Sequence, residues 1–310
     1  MFSNKKINYF VLLAFAISWS SVALIKLLGL SYGSFWFTAI TAFLFMCAPA
    51  YATFLVKKVL YKEPLSDYGL QFKVFDYRWI IHSAIGTILF LFLTLGVVYL
   101  LGNVLHISAF GFVDFSEEGL QKAMQKIAGD KDVSTESLPH PLLLLLMGTA
   151  GGVASGALIN LPFTFGEEFG WRGLLHKETQ SLGFVKSSLL IGVIWGFWHA
   201  PIILMGHNYS NSSFAGVFMM TVFCIALSFP MAYVRVKSKN VLGPSMLHGM
   251  LNGSANVLSL YIHDGSLLYN GPAGIAGILI ILIFTIFIFV FDKAFVKDYT
   301  SITENLETEE

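Results

Sequence analysis

Eight long apolar stretches alternate with short polar connections along the chain, at about 7–30, 34–56, 79–101, 141–175, 187–206, 214–234, 240–262 and 272–291. A helix needs about 20 apolar residues to cross the ~30 Å hydrocarbon core of a bilayer, and each stretch meets that length. Lipid leaves no partner for an unpaired backbone amide, so these stretches are predicted to be helices and the fold all-α. The fourth is too long for one straight crossing. Gly148, Gly151, Gly152 and Gly156, or Pro162, are expected to bend it. Lys5 and Lys6 ahead of Ala14-Phe15-Ala16 mimic the start of a secretory signal. The apolar run continues to Leu30, past the length of a signal core, so an uncleaved first helix is expected.

Composition agrees with this pattern. Of 310 residues, 55% are hydrophobic and 12% charged, against about a quarter charged in soluble domains. The formal net charge is zero, so no basic balance invites nucleic acid. Cys47 and Cys224 fall in separate apolar stretches, which argues against a disulfide framework or a cysteine-based zinc site, and both are expected to be buried small hydrophobes. Fifteen of the nineteen lysines and arginines fall in alternate connections and at the two ends. The positive-inside rule then predicts eight transmembrane helices with both termini cytoplasmic.

Two segments lie outside the spans. In the 102–140 loop, Leu120, Met124 and Ile127 are spaced for a short amphipathic helix on the outer surface. The acidic tail 298–310 is predicted disordered, leaving 1–297 as a single membrane domain with its most informative part at 141–262. No internal repeat relates two halves of the chain, which counts against a transporter of inverted halves.

Ionisable groups inside a span cost about 2.5–3.5 kcal/mol each on insertion scales and so mark a polar interior. Three clusters break the apolar pattern: FGEEFGWRGLL at 165–175, WGFWHAP at 195–201 and SMLHGMLNGSAN at 245–256. Glu168 and Arg172 are spaced i, i+4 and can pair, which leaves Glu167 facing another target. Trp195 and His199 share one helical face, as do His248, Asn252 and Asn256. At ~1.5 Å rise per residue, Glu167 lies about 15 Å from Lys177, His199 about 20 Å from Lys186 and His248 about 14 Å from Lys239. Asn252 falls near 20 Å on the same scale. Four polar groups on three helices therefore share one layer, and one site explains that better than separate accidents. His82, alone in its stretch, reads as a packing residue. A carboxylate with an imidazole can hold and deprotonate a water, and a histidine–asparagine pair can offer donors to an oxyanion. This chemistry suits hydrolysis of a carbonyl substrate without a serine or cysteine nucleophile.

At these residues the sequence resembles the CAAX protease and bacteriocin-processing family of intramembrane proteases, also called Abi. That family's pattern is Glu-Glu-x-x-x-Arg, Phe-x-x-x-His and His-x-x-x-Asn on successive membrane helices. Here the motifs read EEFGWR, WGFWH and HGMLN, in order. The resemblance covers about 165–255; the helices before it match only as hydrophobic spans. It implies an intramembrane endopeptidase in the cell membrane, acting on a peptide or membrane-protein substrate. In that reading Glu167 and His199 activate water, His248 and Asn252 form the oxyanion hole, and Glu168 with Arg172 orders the site. Trp195 stands where the family usually has phenylalanine, and changed packing beside the site is the expected consequence. The water mechanism needs no ion, so no cofactor is expected. Were zinc used, Glu167, His199 and His248 would be its ligands. Two rival classes share such a pocket: a secondary transporter, and an immunity or adaptor protein that binds a peptide without cutting it. The motifs name no substrate.

Overall fold

The structure, a computed structural model, describes residues 4–65, 68–70, 72–129, 138–209 and 213–308. The elements used below are α1 (Lys5–Leu27), α2 (Phe35–Leu60), α3 (Arg78–Val104), α4 (Glu117–Ala128) and α5 (Pro141–Leu158). They continue with α6 (Leu161–Glu168), α7 (Gly183–Trp198), α8 (Ala200–Leu204) and α9 (Ser213–Lys237). Last come α10 (Leu242–Ser254), α11 (Ile275–Phe291) and α12 (Lys293–Thr308). A two-residue antiparallel ribbon, β1 (Phe112–Val113) with β2 (Ile262–His263), is the described extended structure; Phe112 faces His263 and Val113 faces Ile262. The protein is all-α and a multi-pass membrane protein. Among the described residues, seven helical stretches are long and apolar enough to cross a bilayer.

The predicted 141–175 crossing divides at Ile159–Asn160, immediately ahead of Pro162, which has no amide to extend α5. The break bends the chain without reversing it. Along α5 and α6, Gly148 approaches Val257, Gly152 approaches Ser254, Gly156 approaches Gly249, and Thr164 donates to the carbonyl of Ser245 at 2.9 Å. The partner residues, on α10 and the 3-10 segment after it, fall steadily in number, so α5 and α6 run antiparallel to α10 in one direction. The predicted 187–206 span likewise stops at Trp198, and α8 resumes with Pro201 in its first turn. The 240–262 stretch is a 13-residue α-helix followed by a 3-10 segment, Ala255–Leu260.

Glycine lets the helices that carry the polar clusters approach closely. A Cβ on Gly156 would meet the carbonyl oxygen of Gly249 at 2.2 Å, and one on Gly249 would meet that of Gly156 at 2.3 Å. Backbone therefore lies on backbone, the small-residue contact that substitutes for hydrophobic driving force between membrane helices. Gly192 and Gly196 do the same for α7 against α9, where a Cβ would sit 2.5 Å from the Cα atoms of Ile225 and Thr221.

Two expectations are corrected. The tail is helical to Thr308 beyond a kink at Asp298, and Phe295, Tyr299 and Thr303 on either side of the kink are all buried. Tyr299 and the Nε2 of His176 are 2.6 Å apart, anchoring α12 beside the 165–175 motif. The amphipathic helix expected in the 102–140 loop forms, capped by Ser116 on the amide of Gly119. Its buried face is Leu120 and Ala123, while Ile127 is exposed. Neighbouring 130–137, including Lys131, lies outside the described residues.

Candidate active site

Glu167 and Glu168 end α6, and the backbone then widens into a π-helical segment, Phe169–Leu175, that carries Arg172. Such widened turns recur at functional sites because they re-aim consecutive side chains. Both carboxylates and Arg172 are buried. Arg172 Nη1 lies 2.9 Å from Glu168 Oε2 and donates to Oε1 at 3.2 Å, while Nη2 donates to Ser228 Oγ on α9 at 3.1 Å. The i, i+4 pair read from sequence is thus formed. It has a third member: Nδ1 of His248, on α10, lies 2.9 Å from Glu168 Oε1.

A carboxylate can only accept from that nitrogen, so the His248 Nδ1 carries a proton and its Nε2 is the nitrogen left for another role. His199, at the C-cap of α7, has its Nδ1 2.9 Å from the carbonyl of Trp195. A carbonyl also only accepts, which fixes the Nδ1–H tautomer and leaves Nε2 of the neutral ring as an acceptor. Glu167 takes the indole N–H of Trp195 on its Oε2 at 3.0 Å. The Trp195 ring centroid is 5.9 Å from that of His199 and 5.4 Å from that of His248, with the Arg172 guanidinium 4.5 Å over its face.

Glu167, Glu168, Arg172, His199 and His248 are therefore gathered around one tryptophan. Asn252 is one turn beyond His248 on α10 and is exposed, and its side chain makes no hydrogen bond to the described residues. Asn256 falls in the 3-10 segment and lines a separate cavity of about 600 Å³ with Lys126, Tyr209 and Asp264. It does not share the site. Among the described residues no three His, Cys, Asp or Glu side chains are placed to hold one metal ion. Glu167, His199 and His248 do not fit a zinc ligand set as arranged here, and no step below is routed through a metal.

The helices N-terminal to the motifs form the back wall. Trp198 donates to Ser18 Oγ on α1 at 2.6 Å, and its ring centroid is 4.1 Å from that of Phe45 on α2. Trp171 packs edge-on to Phe10 and to Trp198. From α9, Arg235 Nε donates to the backbone carbonyl of Arg172 at 3.1 Å. Ser228 and Arg235 were not legible as site residues, because a serine and a basic residue near a helix end carry no motif of their own.

Residues 141–254, which include every residue of the site, match the family described as type II CAAX prenyl endopeptidase Rce1-like. Over this segment the chain is similar to the CAAX-protease family. A CAAX prenyl protease 2 from Methanococcus maripaludis is 31% identical over 90 residues, which is 29% of this chain and 27% of that protein. The aligned part thus spans about a quarter of the relative's length. The matched segment coincides with α5 to α10, so the match covers the helices that assemble the site and excludes the wall formed by α1 and α2.

Proposed function

We propose that this protein is an intramembrane endopeptidase that hydrolyses a peptide bond with a water activated by Glu167 and His199. The observation that carries the reading is the convergence of Glu167, His199 and His248 on Trp195, within a segment that matches a peptidase family. Glu167 accepts a proton from the water as its oxygen bonds to the scissile carbonyl carbon, and the acceptor Nε2 of His199 aligns that water. Negative charge then gathers on the carbonyl oxygen, where His248 Nε2–H and the carboxamide of Asn252 donate. An Nε2–H donor with Nδ1 also protonated is an imidazolium, which the Glu168 carboxylate at 2.9 Å supports. Collapse breaks the C–N bond, and the proton held on Glu167 passes to the departing amine. Asn252 is free to meet substrate because it makes no bond within the described protein.

The same reading includes eight crossings with both termini in the cytoplasm of the cell membrane. The unreversed path of α5 into α6 supports a single crossing there. Leu242–Leu260 adds ~20 Å of α-helix to ~12 Å of 3-10 helix, enough for a crossing of its own. The substrate is a peptide or a membrane-protein segment. Membranes carrying the wild-type protein or Glu167→Gln, compared by mass spectrometry of peptide termini, test the proposal. New termini that require Glu167 are expected. Identical termini in both, or solute uptake into proteoliposomes with no peptide cut, would reject it in favour of the adaptor or transporter class.

A further inference from the structure

Trp195 is buried, 2% exposed, and uses almost every group it has within the site. Its indole N–H donates to Glu167 Oε2, its backbone carbonyl binds His199 Nδ1, one ring face carries Arg172, and the ring meets His248 at an interplanar angle of 72°. A glutamate carboxylate turns easily about its last torsion, which has broad minima. A buried N–H held by one carboxylate oxygen restricts that rotation and leaves the other oxygen's direction defined. The next-turn carbonyl meanwhile selects the tautomer of His199. One residue thus sets both members of the water-activating pair.

Arg172 is directed to Glu168 and Ser228, and its guanidinium rests 4.5 Å over the indole face rather than on the Glu167 carboxylate. A direct Arg172–Glu167 pair would hold the base as an ion-paired carboxylate with its lone pairs committed.

We propose that Trp195 is the positioning residue of the general base, its indole N–H fixing the Glu167 carboxylate while its carbonyl fixes the His199 tautomer. This inference rests on Glu167 acting as the base. A phenylalanine at 195 fills much of the same volume but donates nothing.

The test uses the full-length protein in nanodiscs with Trp195→Phe and with 3-benzothienylalanine placed at position 195, which keeps the shape of tryptophan without its N–H. With the isostere, kcat should fall by about 10- to 100-fold, the scale of a misaimed catalytic group, while KM and thermal stability stay within error. Trp195→Phe should fall at least as far, with some loss of stability from the vacated ring contacts. Indole ¹⁵N–¹H spectra, with six tryptophan signals, give a readout that needs no substrate. Glu167→Gln should move the Trp195 signal, assigned by its loss in Trp195→Phe, and leave those of Trp19, Trp36 and Trp79 in place. An unmoved Trp195 signal overturns the contact whether or not any peptide is cleaved. An isostere that cleaves at the wild-type kcat, while Glu167→Gln is inactive, overturns the positioning role and leaves the base in place. Cleavage that survives Glu167→Gln removes the base and this inference with it.

Discussion

Replacing Gly156 by alanine tests how the fold sets the position of His248. The new methyl would point at the backbone of α10, 2.2 Å from the carbonyl oxygen of Gly249 and 2.7 Å from the Cα of Met250. Neither atom can rotate away, since both are backbone. Ordinary contact begins at 3.4 Å, so α10 must retreat by about 1.2 Å at this point. His248 is the residue next to Gly249, and it would be carried along. Overpacking of this kind costs about 1–3 kcal/mol, partly offset by the ~1 kcal/mol helix preference of alanine over glycine. The functional cost is larger: a misplacement of about 1 Å can lower a rate by ~10²-fold. Two neighbours on the same helix serve as controls. A Cβ at Gly151 meets nothing within 4 Å, and one at Gly148 touches only the Val257 side chain at 3.4 Å. Thermal unfolding in detergent and peptide cleavage, measured on the same preparations, should show Gly156→Ala impaired in both and Gly151→Ala in neither. If Gly156→Ala matches Gly151→Ala in stability and rate, close packing of α5 on α10 does not hold the site.

Three further outcomes follow from buried or paired groups. Glu168→Gln leaves the Arg172 guanidinium buried without its anion and weakens the hold on His248 Nδ1, so it should lower unfolding temperature and purified yield together with activity, at about 3–5 kcal/mol for a broken buried pair. Tyr299→Phe keeps the ring on Phe184 but strands His176 Nε2, which should cost about 1–3 kcal/mol in thermal unfolding with little change in KM. Outside the spans, Lys57 and then Lys6 hold the Glu63 carboxyl below its ordinary value. Because the folded value is the lower one, this stabilisation is complete above the unfolded carboxylate pKa of about 4.3 and is lost as pH falls through the folded value. The unfolding-temperature gap between wild type and Glu63→Gln should therefore be widest near neutral pH and close under acid.

Much of the site was readable from spacing, and the reason is helical geometry. Glu168 and Arg172 meet because i and i+4 lie on one face, and the layer shared by Glu167, His199 and His248 followed from distances along the chain to the nearest lysines. What spacing cannot carry is the partner from another helix. The Glu168–His248 contact joins residues 80 apart, and it turns an expected ion pair into a three-membered network. Trp195 was visible as a departure from the family motif, but packing was the expectation; that its N–H reaches Glu167 depends on the rotation of α7 about its axis. The tail was misjudged because its acidic composition outweighed a weak stripe of Phe295, Tyr299 and Thr303. The break at Ile159–Asn160 was expected in kind from the proline and glycines, whereas its place depends on how α5 meets α10.

The central claim is that the Glu167 carboxylate takes a proton from the attacking water. Initial rates of peptide cleavage by purified wild-type protein and Glu167→Gln, in detergent with matched unfolding temperatures and with and without a chelator, test it most directly. Glutamine keeps the size and an acceptor oxygen toward Trp195 but cannot take up the proton, so the rate should fall by roughly 10²–10⁴-fold. Wild-type cleavage should be indifferent to chelator, in keeping with a site whose described side chains form no three-ligand set. A Glu167→Gln protein that cleaves within tenfold of the wild-type rate would contradict the account.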